Sequence, residues 1–138
     1  MRRLVFLFAP VLMVTAPAVR SATPAASKLS FNTHIQPILA ENCYACHGID
    51  AAARKAELRL DRFESATAKR KDGAPAIVPG KPANSGLMQR ITTTSAATLM
   101  PPPETGHKVT ADEAKTLALW ISSGAKYVSH WAFSKPVA

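Results

Sequence analysis

Both cysteines of this 138-residue chain lie in one stretch of five residues, Cys43-Tyr44-Ala45-Cys46-His47. Two thiols three positions apart can each add across one vinyl group of a haem, and the histidine that follows is then carried beneath the ring. The imidazole of such a histidine is an established iron ligand. The stretch therefore predicts one covalently attached haem c, with thioether bonds to Cys43 and Cys46 and iron ligation by His47.

Other uses of a CxxC pair fit the remaining sequence less well. A redox dithiol of the thioredoxin kind occurs in a βαβ setting, and no alternation of strand and helix signals surrounds these residues. A zinc site of the finger type needs a second ligand pair roughly a dozen residues further on, whereas the next histidine is His107. A disulfide across two intervening residues would close a small loop and stabilise little. Spacing and chemistry therefore favour haem attachment.

The first 22 residues are typical of a secretory signal peptide. Arg2 and Arg3 precede an apolar run that contains two prolines, and small residues follow it. The run is short for a membrane span, which needs about 20 apolar residues, so an uncleaved anchor is the less favoured alternative. We expect an exported protein, periplasmic or otherwise extracytoplasmic, that is membrane-tethered only if the leader is retained.

The rest of the chain has room for one domain. Residues 23–30 are rich in Ala, Ser, Thr and Pro, which predicts a linker. The domain itself is expected to span residues 31–128. Residues 129–138 are interpreted as a C-terminal tail, or as a linker to a further domain.

The charge pattern indicates what kind of partner the domain could meet. The net charge is +8, but without Arg2, Arg3 and Arg20 there are 14 basic residues against 9 acidic ones. The basic residues are not interleaved with aromatic ones, so nucleic acid is not an expected partner. A mildly basic surface suits electrostatic steering toward an acidic redox protein. Residues 50–72 mix both signs and are interpreted as a solvated face in preference to a docking patch.

The first helix is predicted to begin near residue 33 and to present the two cysteines and His47 at its C-terminal end. Thr33 and Gln36 have the spacing of a capping box, and apolar side chains follow them. Gly48 is expected to stop this helix.

The middle of the chain has weaker signals. Leu58, Leu60 and Phe63 alternate with polar residues as a short extended segment would. Asn84 or Ser85 is expected to cap a short helix. The apolar positions of that helix are Leu87, Met88 and Ile91.

The last helix has the clearest signals in the chain. Thr110 and Glu113 form a second capping box, and Gly124 is expected to end the helix. Its apolar stripe consists of Ala114, Leu117, Ala118, Trp120 and Ile121. A helix with such a stripe needs a partner, and we expect it to pack against the first helix.

Met100 is the candidate distal ligand of the iron. It precedes three consecutive prolines, so it is biased toward an extended conformation on a stiff loop. Met/His ligation is an established haem pairing. Met88 is interpreted as a core residue of an amphipathic helix, and His107, in a polar stretch, is the nearest competitor for the iron. His34 and His130 are interpreted as surface or packing residues.

Six segments carry a resemblance to a known family: FNTHIQPILAENCYACHG, ELRLD, AIVPGKPANSGLMQRI, LMPPPETG, WISSGAKY and HWAF. Over about Phe31 to Phe133 the chain resembles the planctomycete-type cytochrome c domain, which is related to class I c-type cytochromes. The resemblance implies an all-α, class I cytochrome c-like fold of three to five helices around one haem. It implies thioether positions at Cys43 and Cys46, a proximal ligand at His47 and a distal ligand at Met100.

The same resemblance bears on function. In this family the domain commonly stands at the N-terminus of longer exported proteins, so further C-terminal domains are expected partners beside redox proteins of unknown identity. We expect a carrier of single electrons and not an enzyme. The alternatives are a haem peroxidase or gas sensor with an open sixth iron position, and a haem module of a larger exported enzyme.

Overall fold

A computed structural model describes residues 29–71 and 73–128 of the chain. Within these residues the protein contains five α-helices and no β-strand: α1 (Gln36–Asn42), α2 (Tyr44–His47), α3 (Phe63–Thr67), α4 (Gly86–Thr92) and α5 (Ala111–Ser122). The predicted all-α class and helix number are thus confirmed for this part of the chain. The predicted leader and the tail with His130 lie outside the described residues, as do residues 23–28 of the predicted linker.

Three further helical turns complete the architecture. A π-helical turn at Phe31–Ile35 leads into α1, and 3-10 turns at Pro82–Asn84 and Pro103–Thr105 precede α4 and α5. None of the helices in residues 29–71 and 73–128 has the length and apolar character that crossing a membrane requires.

The first helical segment begins earlier than its sequence predicts and opens with a wider turn. The backbone N–H of Gln36 donates to the carbonyl oxygen of Phe31, five residues earlier. Pro37, the next residue, has no N–H with which to continue an α-helical ladder. The π-helical turn therefore ends at Ile35, two residues before the proline.

The predicted capping box at Thr33 is wrong. The Thr33 hydroxyl donates to the side-chain oxygen of Ser30 at 3.2 Å, and the Ser30 N–H donates to Nδ1 of His34 at 3.1 Å. The backbone N–H of His34 already donates to the carbonyl of Ser30 at 2.9 Å. Because helical hydrogen bonding starts at Ser30, Thr33 lies inside the first turn and cannot cap it.

Helix α5 has the ends that the sequence predicts. The Thr110 hydroxyl accepts from the Glu113 N–H at 3.2 Å, and the Glu113 carboxylate accepts from the Thr110 N–H at 2.7 Å. At the other end Gly124 has a φ of 104°, and its N–H donates to the Ile121 carbonyl at 3.0 Å. This left-handed glycine satisfies a carbonyl that the helix leaves free.

The core lies between the first helical segment, α4, α5 and the loop after α2. Phe31 packs on α5, with its ring centroid 5.7 Å from that of Trp120, which confirms the predicted packing of the first helix on the last. Tyr127, just after α5, places its ring 4.5 Å from Phe31 and donates its hydroxyl to the Leu60 carbonyl at 2.9 Å. Each large apolar side chain so buried contributes about 1.5–3 kcal/mol. The beginning and the end of the domain are therefore held together.

The segment between α2 and α3 follows its predicted alternation only in part. Leu58 and Leu60 are buried while Arg59 between them is half-buried. Phe63, the third member of the pattern, is 40% exposed because it begins α3.

Helix α4 begins where predicted, but its capping residue bonds elsewhere. The buried Ser85 hydroxyl donates to the Lys81 carbonyl at 3.0 Å and accepts from the Val78 N–H at 2.9 Å. It therefore stabilises the loop before α4 and makes no side-chain cap. Met88 is buried in α4, as its interpretation as a core residue requires.

Candidate functional site

The two cysteines and His47 lie around one tight turn. Cys43 separates α1 from α2, and its φ of −130° breaks the helix, a break that the sequence does not predict. The Cys43 carbonyl accepts from the N–H groups of Cys46 at 3.2 Å and His47 at 2.8 Å. Both thiols and the imidazole are thereby brought together, as the motif requires.

The thiols are free and half-buried. Cys43 packs against the hydrophobic core. Burial, and after it the nearby Cys46 and Glu113, raises the pKa of Cys43 to about 12. Cys43 is therefore a neutral thiol in the folded chain.

The imidazole of His47 is fixed by a backbone acceptor. Its Nδ1 lies 3.3 Å from the carbonyl oxygen of Lys55. A ring nitrogen that faces a carbonyl must carry the proton, which leaves Nε2 as the nitrogen able to bind a metal. Burial lowers the pKa of His47 below 6.5; the bond to Lys55 opposes this shift, and the positive charge of Arg70 adds to it. His47 is thus a neutral imidazole, the form that ligates metals.

The loop after α2 folds back over this turn. The Lys55 N–H donates to the Cys46 carbonyl at 2.8 Å, and the Leu60 N–H donates to the His47 carbonyl at 2.9 Å. The carbonyls at the end of α2 are therefore satisfied by the loop that supplies the acceptor for the imidazole. The sequence does not predict these hydrogen bonds, since every residue has the same backbone carbonyl.

Gly48 ends α2 as predicted, but for a different reason. Its φ of −122° and ψ of −151° are extended and open to any residue, so the helix does not end in a left-handed glycine. A Cβ at this position would overlap the carbonyl oxygen of Tyr44 and lie 3.1 Å from its carbonyl carbon. Glycine is needed here for space.

Met100 lies in the wall of a partly open cavity of about 370 Å³. Its backbone N–H donates to the Arg90 carbonyl at 3.0 Å, which fastens the loop to α4. The cavity falls in the size range of small-molecule sites, about 300–1,000 Å³. Its walls are mostly apolar and comprise Ile91, Leu99, Met100, Pro101, Pro103, Gly106, His107, Lys108 and Val109.

The predicted ligands of the iron do not all line one cavity. The cavity walls that include Met100 do not include Cys43, Cys46 or His47. His107, the competitor for the distal position, lines the same cavity as Met100 with an exposed imidazole. Its position follows from the Pro103–Thr105 turn and from Gly106, whose φ of 73° turns the chain back.

The residues present fit a covalently attached haem. Two free thiols stand on one turn beside a neutral imidazole whose Nδ1 already has an acceptor. A thioether lies in an apolar cavity wall nearer the C-terminus of the chain. No group of three or more His, Cys, Asp or Glu side chains in residues 29–71 and 73–128 is arranged to hold a bare metal ion.

The comparison with protein families gives one match. Residues 43–104, slightly under half of the chain, match the family described as Planctomycete cytochrome C. Neither the comparison with curated proteins nor that with solved structures finds a match. The matched segment contains both cysteines, His47 and Met100, and similarity to a cytochrome c family implies a covalent haem c. Residues 43–104 are therefore similar to the planctomycete cytochrome C family.

Proposed function

We propose that this protein is a mono-haem c-type cytochrome that carries single electrons. Cys43 and Cys46 would hold the haem through thioether bonds, with His47 as the proximal ligand and Met100 as the distal one. When bound, the haem supplies an iron that cycles between Fe(III) and Fe(II).

The hydrogen bond between His47 Nδ1 and the Lys55 carbonyl is the observation that carries this proposal. Histidines that ligate metals almost always donate their other ring N–H to a carbonyl, a carboxylate or water. The bond orients the ring, selects the tautomer and makes Nε2 more basic. A histidine that merely filled space beside a dithiol would not need this arrangement.

Ligation by Met100 would suit a carrier, because it would fill the sixth position of the iron and leave no vacancy for a substrate. A thioether ligand and an apolar cavity wall both raise the reduction potential, because they disfavour the more charged Fe(III) state. We therefore propose that the protein is not an enzyme.

Export and partners belong to the same proposal. Haem c is attached outside the cytoplasm, and the first 22 residues are typical of a signal peptide. Redox proteins with acidic docking surfaces, or further domains joined to residues 129–138, would exchange electrons with the haem.

The test is whether the full chain, produced in a host competent in cytochrome maturation, binds haem covalently. We expect the haem to stay with the polypeptide in acidic acetone, and its alkaline pyridine spectrum to indicate two thioether bonds. Cys46→Ser should remove one bond and lower or abolish haem capture, whereas His107→Ala, outside the motif, should leave attachment unchanged. Colourless protein, or release of the pigment into the acetone, would overturn the proposal.

A second candidate function is binding of a small ligand at an open sixth position, as in a haem peroxidase or gas sensor. The partly open cavity and the exposed imidazole of His107 in its wall favour it. The ferric spin state separates the two functions. A low-spin protein that resists carbon monoxide and cyanide supports the carrier, whereas a high-spin protein that takes up both ligands supports the sensor or peroxidase.

A further inference from the structure

Arg54 bridges two backbone carbonyls directly after the predicted proximal ligand. Its Nε donates to the Gly48 carbonyl at 3.1 Å, and its Nη2 donates to the Ile49 carbonyl at 2.9 Å. The side chain is half-buried. Hydrogen bonds from a guanidinium are charge-assisted and stronger than neutral ones, and a cation is favoured at the C-terminal end of a helix. Arg54 thus fastens its own loop to the end of α2.

The residue after Arg54 supplies the acceptor for the imidazole. The Lys55 N–H is bound to the Cys46 carbonyl, and the Lys55 carbonyl faces His47 Nδ1. The Arg54 side chain and the Lys55 backbone therefore connect the loop to the same turn. A shift of the Arg54 backbone would change the direction of the neighbouring Lys55 carbonyl.

The backbone that follows is strained. Ala56 and Glu57 have φ values of 54° and 52°, in the left-handed region that residues with a Cβ adopt at a cost. Such conformations persist only where surrounding contacts hold them. Arg70 supplies one contact, from its Nη2 to the Ala56 carbonyl at 3.4 Å, and Arg54 holds the loop on the other side of Lys55.

We propose that Arg54 is a positioning residue that keeps the Lys55 carbonyl directed at His47 and so tunes the reduction potential of the haem iron. This inference rests on the proposed function. Donation from Nδ1–H makes the imidazole a more basic ligand, and a more basic ligand favours Fe(III). Loosening of the loop therefore raises the reduction potential and exposes the Nδ1 proton to exchange with water.

The variant that tests this is Arg54→Lys in the haem-loaded full chain. Lysine keeps the positive charge, whose loss would by itself lower the potential, but it lacks the planar fork that reaches two carbonyls. The matched control is Arg62→Lys, at an exposed arginine of the same charged segment. We expect Arg54→Lys to raise the potential and to speed exchange of the His47 Nδ1 proton, followed by NMR, roughly tenfold.

The outcomes distinguish this inference from the proposed function. Covalent haem in the wild type with unchanged potential and exchange in Arg54→Lys would overturn the role of Arg54 and leave the cytochrome intact. If Arg54→Lys does not fold, Arg54→Gln serves, because its amide can still donate to one carbonyl. Exchange in Arg54→Gln should then exceed that of the wild type, and equality would also overturn the inference.

Discussion

The proximal and distal parts of the candidate haem site differ in how firmly the chain holds them. The turn that contains His47 is bonded through its backbone to Cys43 and Leu60, and its imidazole is bonded to Lys55. Met100 lies on a loop that a backbone bond to Arg90 fastens, beside a partly open cavity. The difference is that a hydrogen bond holds the proximal imidazole itself, whereas the bond to Arg90 and the three prolines after Met100 hold the distal loop through its backbone.

The strongest test of this comparison uses one glycine from each part. In Gly48→Ala the new Cβ would overlap the Tyr44 carbonyl oxygen, and the backbone would have to shift. We therefore expect the free energy of unfolding to fall by about 2–3 kcal/mol. In Gly106→Ala no atom lies within 4 Å of the new Cβ, and only the φ of 73° opposes it, at about 1 kcal/mol. Urea unfolding of the haem-loaded protein measures both values. A larger loss for Gly106→Ala would reverse the comparison.

A pair of methionines tests the distal ligand. Met88→Leu exchanges residues of similar volume in the core and should cost less than about 1.5 kcal/mol without changing the haem spectrum. Met100→Leu should abolish the sulfur-to-iron charge-transfer band and lower the reduction potential, because a thioether ligand favours Fe(II). The opposite pattern, with the band lost only in Met88→Leu, would assign the distal position to Met88.

His107, which lines the same cavity as Met100, could replace it as the distal ligand, and a double variant tests this. If His107 can reach the iron, ferric Met100→Leu stays low-spin and becomes high-spin only when His107→Ala is added. If it cannot, Met100→Leu alone is high-spin.

The smallest expected effect concerns the end of the distal loop. Val109 lines the cavity, and the next residue, Thr110, caps α5. Thr110→Ala removes the cap and should cost about 1 kcal/mol, while Thr110→Ser should retain most of that stability. Because the change lies beside the distal loop, we expect faster binding of azide to the ferric protein. The exchange rate of the His47 Nδ1 proton should stay as in the wild type, and a change there would show that the two parts are coupled.

Features with a local cause were predictable from the sequence. The Thr110 and Glu113 side chains form hydrogen bonds to backbone groups within three residues of themselves. The φ of Gly124 is one that glycine adopts without the steric cost that other residue types meet. The cysteines and His47 are adjacent in sequence, so any helical turn brings them together.

Features that depend on packing or on the path of the loop backbone were not predictable. The π-helical turn at Phe31–Ile35 lies just before Pro37, which has no N–H, and contains a ring that packs on α5. The Ser85 hydroxyl, one of two predicted caps of α4, bonds instead to Val78 and Lys81 in the loop just before the helix, whose backbone path the sequence does not indicate. The role of Arg54 was not predictable, because it is one of many charged residues in its segment and its partners are backbone carbonyls, which every residue has. Ala56 and Glu57 adopt backbone conformations that their residue types disfavour, because hydrogen bonds of the surrounding loop hold them there.

The ring contacts of Phe31 with Trp120 and Tyr127 also have a consequence for biosynthesis. The residues that close the domain lie near its C-terminal end, so a chain exported N-terminus first, as proposed, brings both cysteines out of the cytoplasm before Trp120 and Tyr127. During that interval Cys43 is not yet covered by the finished core. The order of export would therefore give a haem-attaching enzyme access to both thiols before the protein closes around them.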